Sequence, residues 1–355
     1  MLVFLIVMLL FAALLEYLSL RGGTAYIDAD FTLSKNRTEV GEDVELTTHV
    51  RRFGRLPVTY CMLSIACPLT ARLPEGADLK SENHFVVLRD TYRLWTRLER
   101  SRTLKLQMEK RGVYIFSGRD IQRGDFLGLR QSFGHFDTKR SIIVYPPKLY
   151  SKALSEALGS YSGLLTAERW LLRDPVLVMG VREYTGHEPM HAISWSQTAR
   201  RGELTVREFD YTRSLNCRVL LPVNGIEDDM DLLDRCCSAV RTVCETLIEA
   251  GVEPILYTNA ALLGYPSTPM RSVSAAAGRE EDLLEVLARV TKSPCCSPSA
   301  LVEECLSVET GSAAYLLVTP HDDDAAQSAL QLLNARSGLG AKLIAVDELE
   351  ASQDG

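Results

Sequence analysis

Positive charge is in short supply in this chain. Its 355 residues carry 39 Lys and Arg against 46 Asp and Glu, a formal net charge of −7. That balance excludes a nucleic-acid binder, which needs a basic face or stripe. Paired cysteine spacing is missing too. There are nine cysteines, an odd number, and no disulfide framework emerges from their positions. Cys236, Cys237 and Cys244 fall on a helical stripe as small apolar residues, and the adjacent Cys295 and Cys296 lack the C-x₂-C geometry of a structural zinc site. So many unpaired thiols suit a reducing compartment. No phosphate-cradling P-loop is present, and no Ser or Cys comes with a well-placed His and acid. No cofactor is expected.

What is present begins with "MLVFLIVMLLFAALLEYLSLRGG". The first 15 residues carry no charge, and only Glu16 interrupts the run to Leu20. About 20 apolar residues cross a bilayer core, so residues 1–20 are expected to be a transmembrane anchor in contact with lipid. A cleaved signal peptide would want a basic start and a small-residue cleavage site. Basic residues only follow the span, at Arg21, Lys35, Arg37, Arg51 and Arg52. The positive-inside rule then gives a single-pass protein of the cell membrane with its bulk cytoplasmic.

Residues 25–147 read as a β-sandwich domain. "DVELTTHV", "VTYCMLSIAC", "HFVVL", "TLKLQM" and "GVYIFS" are rich in β-branched and aromatic residues and are separated by turn formers. Residues 148–181 read as a connector. From 211 to 355 strands and helices alternate, which implies a parallel, Rossmann-like α/β layer structure. Its clearest helix, 229–250, repeats apolar residues at Leu233, Cys236, Cys237, Val240, Cys244, Leu247 and Ile248, and Gly251 closes it. The fold class is therefore α+β multidomain: N-terminal transmembrane helix, β-sandwich, then α/β domain.

Between them, residues 182–210 read "REYTGHEPMHAISWSQTARRGELTVREFD". Arg182, Glu183, Tyr184 and Gly186, then Ile193 and Trp195, then Ala199, Arg200, Gly202, Leu204 and Val206, then Glu208 and Phe209, resemble the signature of the family named domain of unknown function fifty-eight. The upstream "RGVYIFSGRDIQRGDFLGL" is similar to that family's preceding segment. The chain departs from the pattern at His187, where the family often has Asp, and at Ser194 and Ser196 beside the tryptophan. Members commonly carry two membrane helices, and one is visible here. The resemblance implies a C-terminal domain like that of von Willebrand factor A. The cation-binding acids and serines of such domains are replaced by "LLPVNG", so no metal site is expected there. "HDDD" at 321–324 fits helix capping. The resemblance also implies a partner, a MoxR-class AAA+ ATPase, and a role in assembling or activating other complexes.

Within the signature, "HEPMH" matches the H-E-x-x-H pattern of zinc proteases, with His187 and His191 as ligands and Glu188 as base. That chemistry needs one helix across the motif, and Pro189 opposes it. A third ligand is also required, and Glu208 lies in a stretch that reads as a strand. The match is read as chance, with a zinc-dependent hydrolase as the alternative. Two accounts of the signature stay open. In one, Tyr184, Ile193, Trp195, Leu204, Val206 and Phe209 pack between the domains, with Arg182 and Arg200 paired to Glu183, Glu203 or Glu208. In the other, Arg182, Glu183, Tyr184, Gly186, Trp195, Arg200, Gly202 and Glu208, with Arg207 beside them, form a docking surface.

Overall fold

The computed structural model describes residues 1–20, 27–53, 58–74, 76–82, 84–94, 99–124, 130–171, 178–186, 190, 193–209, 216–226, 229–275, 279–308, 313–336 and 340–349. The chain divides into two compact units, Met1–Pro147 and Lys148–Gly355.

The first unit opens with a 19-residue helix, α1 (Leu2–Leu20), about 28 Å long at 1.5 Å per residue. Val3, Phe4, Leu5, Leu9, Leu10 and Phe11 are all more than half exposed. Among the described residues no helix is long and apolar enough to cross a membrane.

Eleven strands follow. They are β1 (Ile27–Leu33), β2 (Arg37–Glu39), β3 (Asp43–Arg52), β4 (Val58–Cys67), β5 (Ala71–Arg72) and β6 (Asp78–Glu82), then β7 (Phe85–Leu94), β8 (Glu99–Met108), β9 (Gly112–Gly124), β10 (Gln131–His135) and β11 (Lys139–Tyr145). They form a four-stranded sheet, β1-β3-β8-β5, and a second sheet, β2-β11-β9-β4-β7-β6, with β10 on β9. Alternation along the strands turns Phe31, Val44, Leu46 and Leu106 of one sheet and Leu63, Ile65, Phe116 and Ile142 of the other into a shared core. This unit is a β-sandwich.

One polar cluster crosses that core. Asp90 on β7 is 1% exposed. Its carboxylate accepts from Thr48 Oγ1 of β3 at 3.1 Å, from the Tyr92 hydroxyl, and from Arg102 Nη1 of β8 at 2.7 Å. Thr48 and Tyr92 also bond each other. Each group has a partner, so burial is compensated, and the cluster ties one sheet to the other.

In the second unit, residues 148–181, read from the sequence as a connector, contain α2 (Lys152–Leu171). Leu154, Leu158 and Tyr161 of that helix are buried in the unit's own core. β12 (Val178–Glu183), α3 (Trp195–Arg201) and β13 (Thr205–Phe209) follow. Then come β14 (Asn216–Leu221), α4 (Met230–Glu249), β15 (Glu253–Thr258), β16 (Ala260–Leu262), β17 (Arg271–Ser274) and α5 (Glu280–Arg289). The chain continues through β18 (Val290–Pro294), α6 (Pro298–Val308), β19 (Ala314–Thr319), α7 (Asp324–Arg336) and β20 (Ala341–Ala345).

The main sheet runs β17-β15-β14-β19-β20. Its last four strands are parallel, and β17 is antiparallel at one edge. Val219 and Leu316 face α2, α4 and α5; Leu220 and Leu317 face α6 and α7. Both faces are covered, which explains the unbroken apolar run "AYLLV"; in "CRVLL" the buried Arg218 interrupts the run and donates to the Tyr315 hydroxyl. The Asp229 carboxylate accepts from Leu232 N at 2.9 Å and caps α4, as Asp323 caps α7 through Ala326 N at 2.7 Å.

Candidate interaction site

The segment 182–210 folds as a hairpin with a helix inserted in its loop. β12 and β13 pair antiparallel, Arg182 opposite Val206 and Glu183 opposite Thr205. Ile193 bridges to Val206, and Ser194 N donates to Thr205 O at 2.8 Å. Thr198 Oγ1 accepts from Thr205 N at 3.1 Å, which pins α3 against the hairpin. Gly202 ends α3 with φ 78°, a left-handed cap that an L side chain resists. Its N–H donates to Thr198 O at 2.9 Å.

The buried residues here are few: Ile193, Ser194, Thr205 and Val206. Trp195, which the two accounts of the segment assign to packing or to docking, is 59% exposed. α3 is seven residues long and buries none of its side chains, so it is too short and too solvated to seat the indole. Leu204 is likewise 45% exposed and Met190 70% exposed. Tyr184 is half-buried, while Arg182, Glu183, Arg200, Gly202 and Arg207 are exposed. Among the described residues Glu183 and Glu203 make no ion pair with Arg182 or Arg200, and the expected pairing to Glu208 falls on a side chain outside them. Arg182 Nη1 instead reaches Glu183 O at 3.5 Å. The side chains of Glu208 and Phe209 lie outside the described residues.

His187, Glu188, Pro189 and His191 also lie outside the described residues, so the zinc reading has no geometry here. Among the described residues no three His, Cys, Asp or Glu side chains group as metal ligands.

A second place with functional potential is the crevice at the carboxyl ends of the parallel strands. There the strand order reverses and α/β folds bind ligands. The loop after β14, "PVNG", supplies Asn224. Asn259, just past β15, is fully buried. Its amide accepts from Val223 N at 3.0 Å and donates to Asn224 Oδ1 at 2.6 Å and to Cys296 O at 2.7 Å. Nearby, His321 Nδ1 meets Asp347 Oδ2 at 2.7 Å. Asn224, Asn259 and Cys296 O are bonded to one another, the buried Thr319 hydroxyl at the end of β19 has no hydrogen-bond partner among the described residues, and Pro222 and Val223 offer no side-chain oxygen. Sequence reasoning passed over Asn259; its signal was the polar pair Thr258-Asn259 ending the run "PILY".

No family model matches the chain. It is 24% identical over 213 residues to the uncharacterized protein YeaD of Bacillus subtilis (strain 168), covering 60% of this chain. The chain spans about half the length of that curated relative, 50%. Among solved structures it is similar to a cohesin module of a Clostridium perfringens family 33 glycoside hydrolase. That match has a TM-score of 0.26 and 10% identity, and covers 34% of this chain and 96% of that one. It is also similar to the CARDB domain of a Pyrococcus furiosus protein, with a TM-score of 0.23 and 12% identity, covering 33% and 91%.

Proposed function

We propose that this chain is a non-enzymatic scaffold, anchored to the cell membrane through α1, whose 182–210 segment docks a protein partner. The observation that carries the reading is Trp195, more than half exposed on a helix that buries nothing, in a segment whose Arg182, Arg200, Arg201 and Arg207 are also exposed. Trp and Arg dominate binding hot spots.

The partner implied by the family resemblance is a MoxR-class AAA+ ATPase, and the role is assembly or activation of other complexes. The exposed apolar side chains of α1 support a bilayer as their cover. The basic residues after it favour a cytoplasmic bulk.

The test is capture of the ATPase by detergent-solubilised wild type and by a Trp195→Ala, Arg200→Ala variant. Neither side chain is buried, so the variant keeps its melting temperature. Capture by wild type and loss in the variant supports docking; equal capture by both removes the segment from the interface.

A further inference from the structure

The five-stranded sheet of the second unit ends in an open edge at β17. Antiparallel pairs alternate between residues that exchange backbone bonds and residues whose N–H and C=O point away. β17 pairs with β15 in the register Thr258↔Arg271 through Ile255↔Ser274, and Ala275 N donates to Pro254 O at 2.9 Å. Residue 275 therefore bonds inward, as do 273 and 271. Ser272 and Ser274 aim their N–H and C=O groups out from the sheet. Among the described residues neither N–H has a further backbone partner.

That edge forms one side of a cavity of about 350 Å³, walled elsewhere by Leu262, Tyr265, Arg279, Asp282 and Val286. The wall is fixed. Arg289 is held by Glu285 Oε1 at 2.9 Å and by Leu263 O at 3.1 Å, and its guanidinium lies 5.3 Å from the Tyr265 ring centre. Arg271 lies over the same ring at 4.9 Å. Arg279 is exposed, and among the described residues neither Arg271 nor Arg279 has an ion-pair partner. The acids of α5, Glu280, Glu281 and Asp282, occupy its first turn, where they offset the helix dipole.

The chemistry of the edge selects its ligand. A small anion would find the Ser272 and Ser274 N–H donors but would also face their carbonyl oxygens. An extended peptide satisfies both, since it carries donors and acceptors in the same alternation. Residues 271–274 contain none of the lysine or proline that blunts an open strand. Arg271 and Arg279 bracket the strand with positive charge, while Leu262, Val273 and Val286 offer an apolar wall.

We propose that the β17 edge binds an extended peptide segment of a partner protein as an added strand, with acidic side chains facing Arg271 and Arg279 and an apolar one against Val286. This is a second surface, independent of the 182–210 segment. The test selects a phage-displayed library of random ten-residue peptides on the full detergent-solubilised chain. Selected peptides should alternate apolar and acidic residues, and should slow amide exchange at Ser272 and Ser274 at least about tenfold. Ser274→Pro removes an outward N–H without touching the ladder, and should weaken binding about tenfold, the worth of one such bond. Arg279→Glu, which leaves the strand intact, should disfavour acidic peptides. Three results overturn the proposal: no peptides enriched over the Ser274→Pro counter-screen, enriched peptides indifferent to both variants, or peptides displaced by millimolar inorganic phosphate, which marks an anion pocket.

Discussion

Asp90 shows how far single residues can be read from the text. "HFVVL" and "DVELTTHV" were legible as strands from their β-branched content, though the continuation of the first to Asp90 and Tyr92 was not. That Thr48, Asp90 and Tyr92 point inward and meet across two sheets was not, because alternation fixes a face only when its residues are apolar. Asp90→Ala removes the acceptor of Tyr92 and of the half-exposed Arg102, while Thr48 keeps Tyr92 and Arg102 O as partners. It should cost about 2 kcal/mol of stability, the scale for losing hydrogen bonds to a charged group, measured by urea unfolding; a cost under about 0.5 kcal/mol would mean that the cluster does not tie the sheets. The thiols follow burial as well. Desolvation pushes Cys61, Cys67 and Cys217 up to about 12, while Cys295 and Cys296 are only partly buried. Alkylation of the native chain near pH 8 should therefore modify Cys295 and Cys296 and spare the other seven, read by mass spectrometry; early labelling of Cys61 would contradict that core. Glu42 titrates the other way. Lys35 donates to its carboxylate, joined by the Thr38 hydroxyl at 2.8 Å and Glu39 N, and holds it down at about 2. A depressed carboxyl contributes stability above its unfolded value near 4.3 and loses it as pH falls towards 2. Glu42→Gln should thus flatten the acid limb of the stability curve in that window.

At the scale of elements, α4 was the easiest to read. Its apolar stripe has the helical period, and Asp229 and Gly251 mark its ends. Asp229→Ala should cost about 1 kcal/mol in thermal unfolding, the worth of a cap. The edge strand β17, the β16–β18 pair and α6 went unread, because "PSTPMRSVSAAAG" and "SPCCSPSALVEEC" mix turn formers with short structure and leave no period to count. The signature segment falls between. "GELTVREF" was legible as a strand; its hairpin partner β12 was not, because "VMGVRE" is short and ends in charged residues. The exposure of Trp195 was not, since seven residues of helix do not say which face is covered. Trp195→Ala should change stability by less than about 0.5 kcal/mol, as substitutions of solvated residues do. A loss of several kcal/mol would return the indole to a packing role.

The whole molecule couples a β-sandwich unit and a doubly wound α/β unit in one chain, both classes visible in the shift from clustered strands to alternating strands and helices. Strand order was not visible, because it depends on pairings far apart in sequence. The crevice at the strand ends holds the Asn224–Asn259–Cys296 bonds; the surfaces proposed above are α1, the 182–210 hairpin and the β17 edge. If α1 is the anchor, removing residues 1–20 should move the chain from the membrane pellet to the supernatant after carbonate extraction; a chain that sediments regardless is held by something else.

The measurement that bears most directly on the central claim is a binding titration of a purified MoxR-class AAA+ ATPase against the detergent-solubilised chain, run in parallel with the Trp195→Ala, Arg200→Ala variant. The account predicts saturable binding by wild type and at least about a hundredfold weakening in a variant of unchanged melting temperature, the scale of a hot-spot pair. Equal affinity for the two chains, or no binding to either, would contradict it.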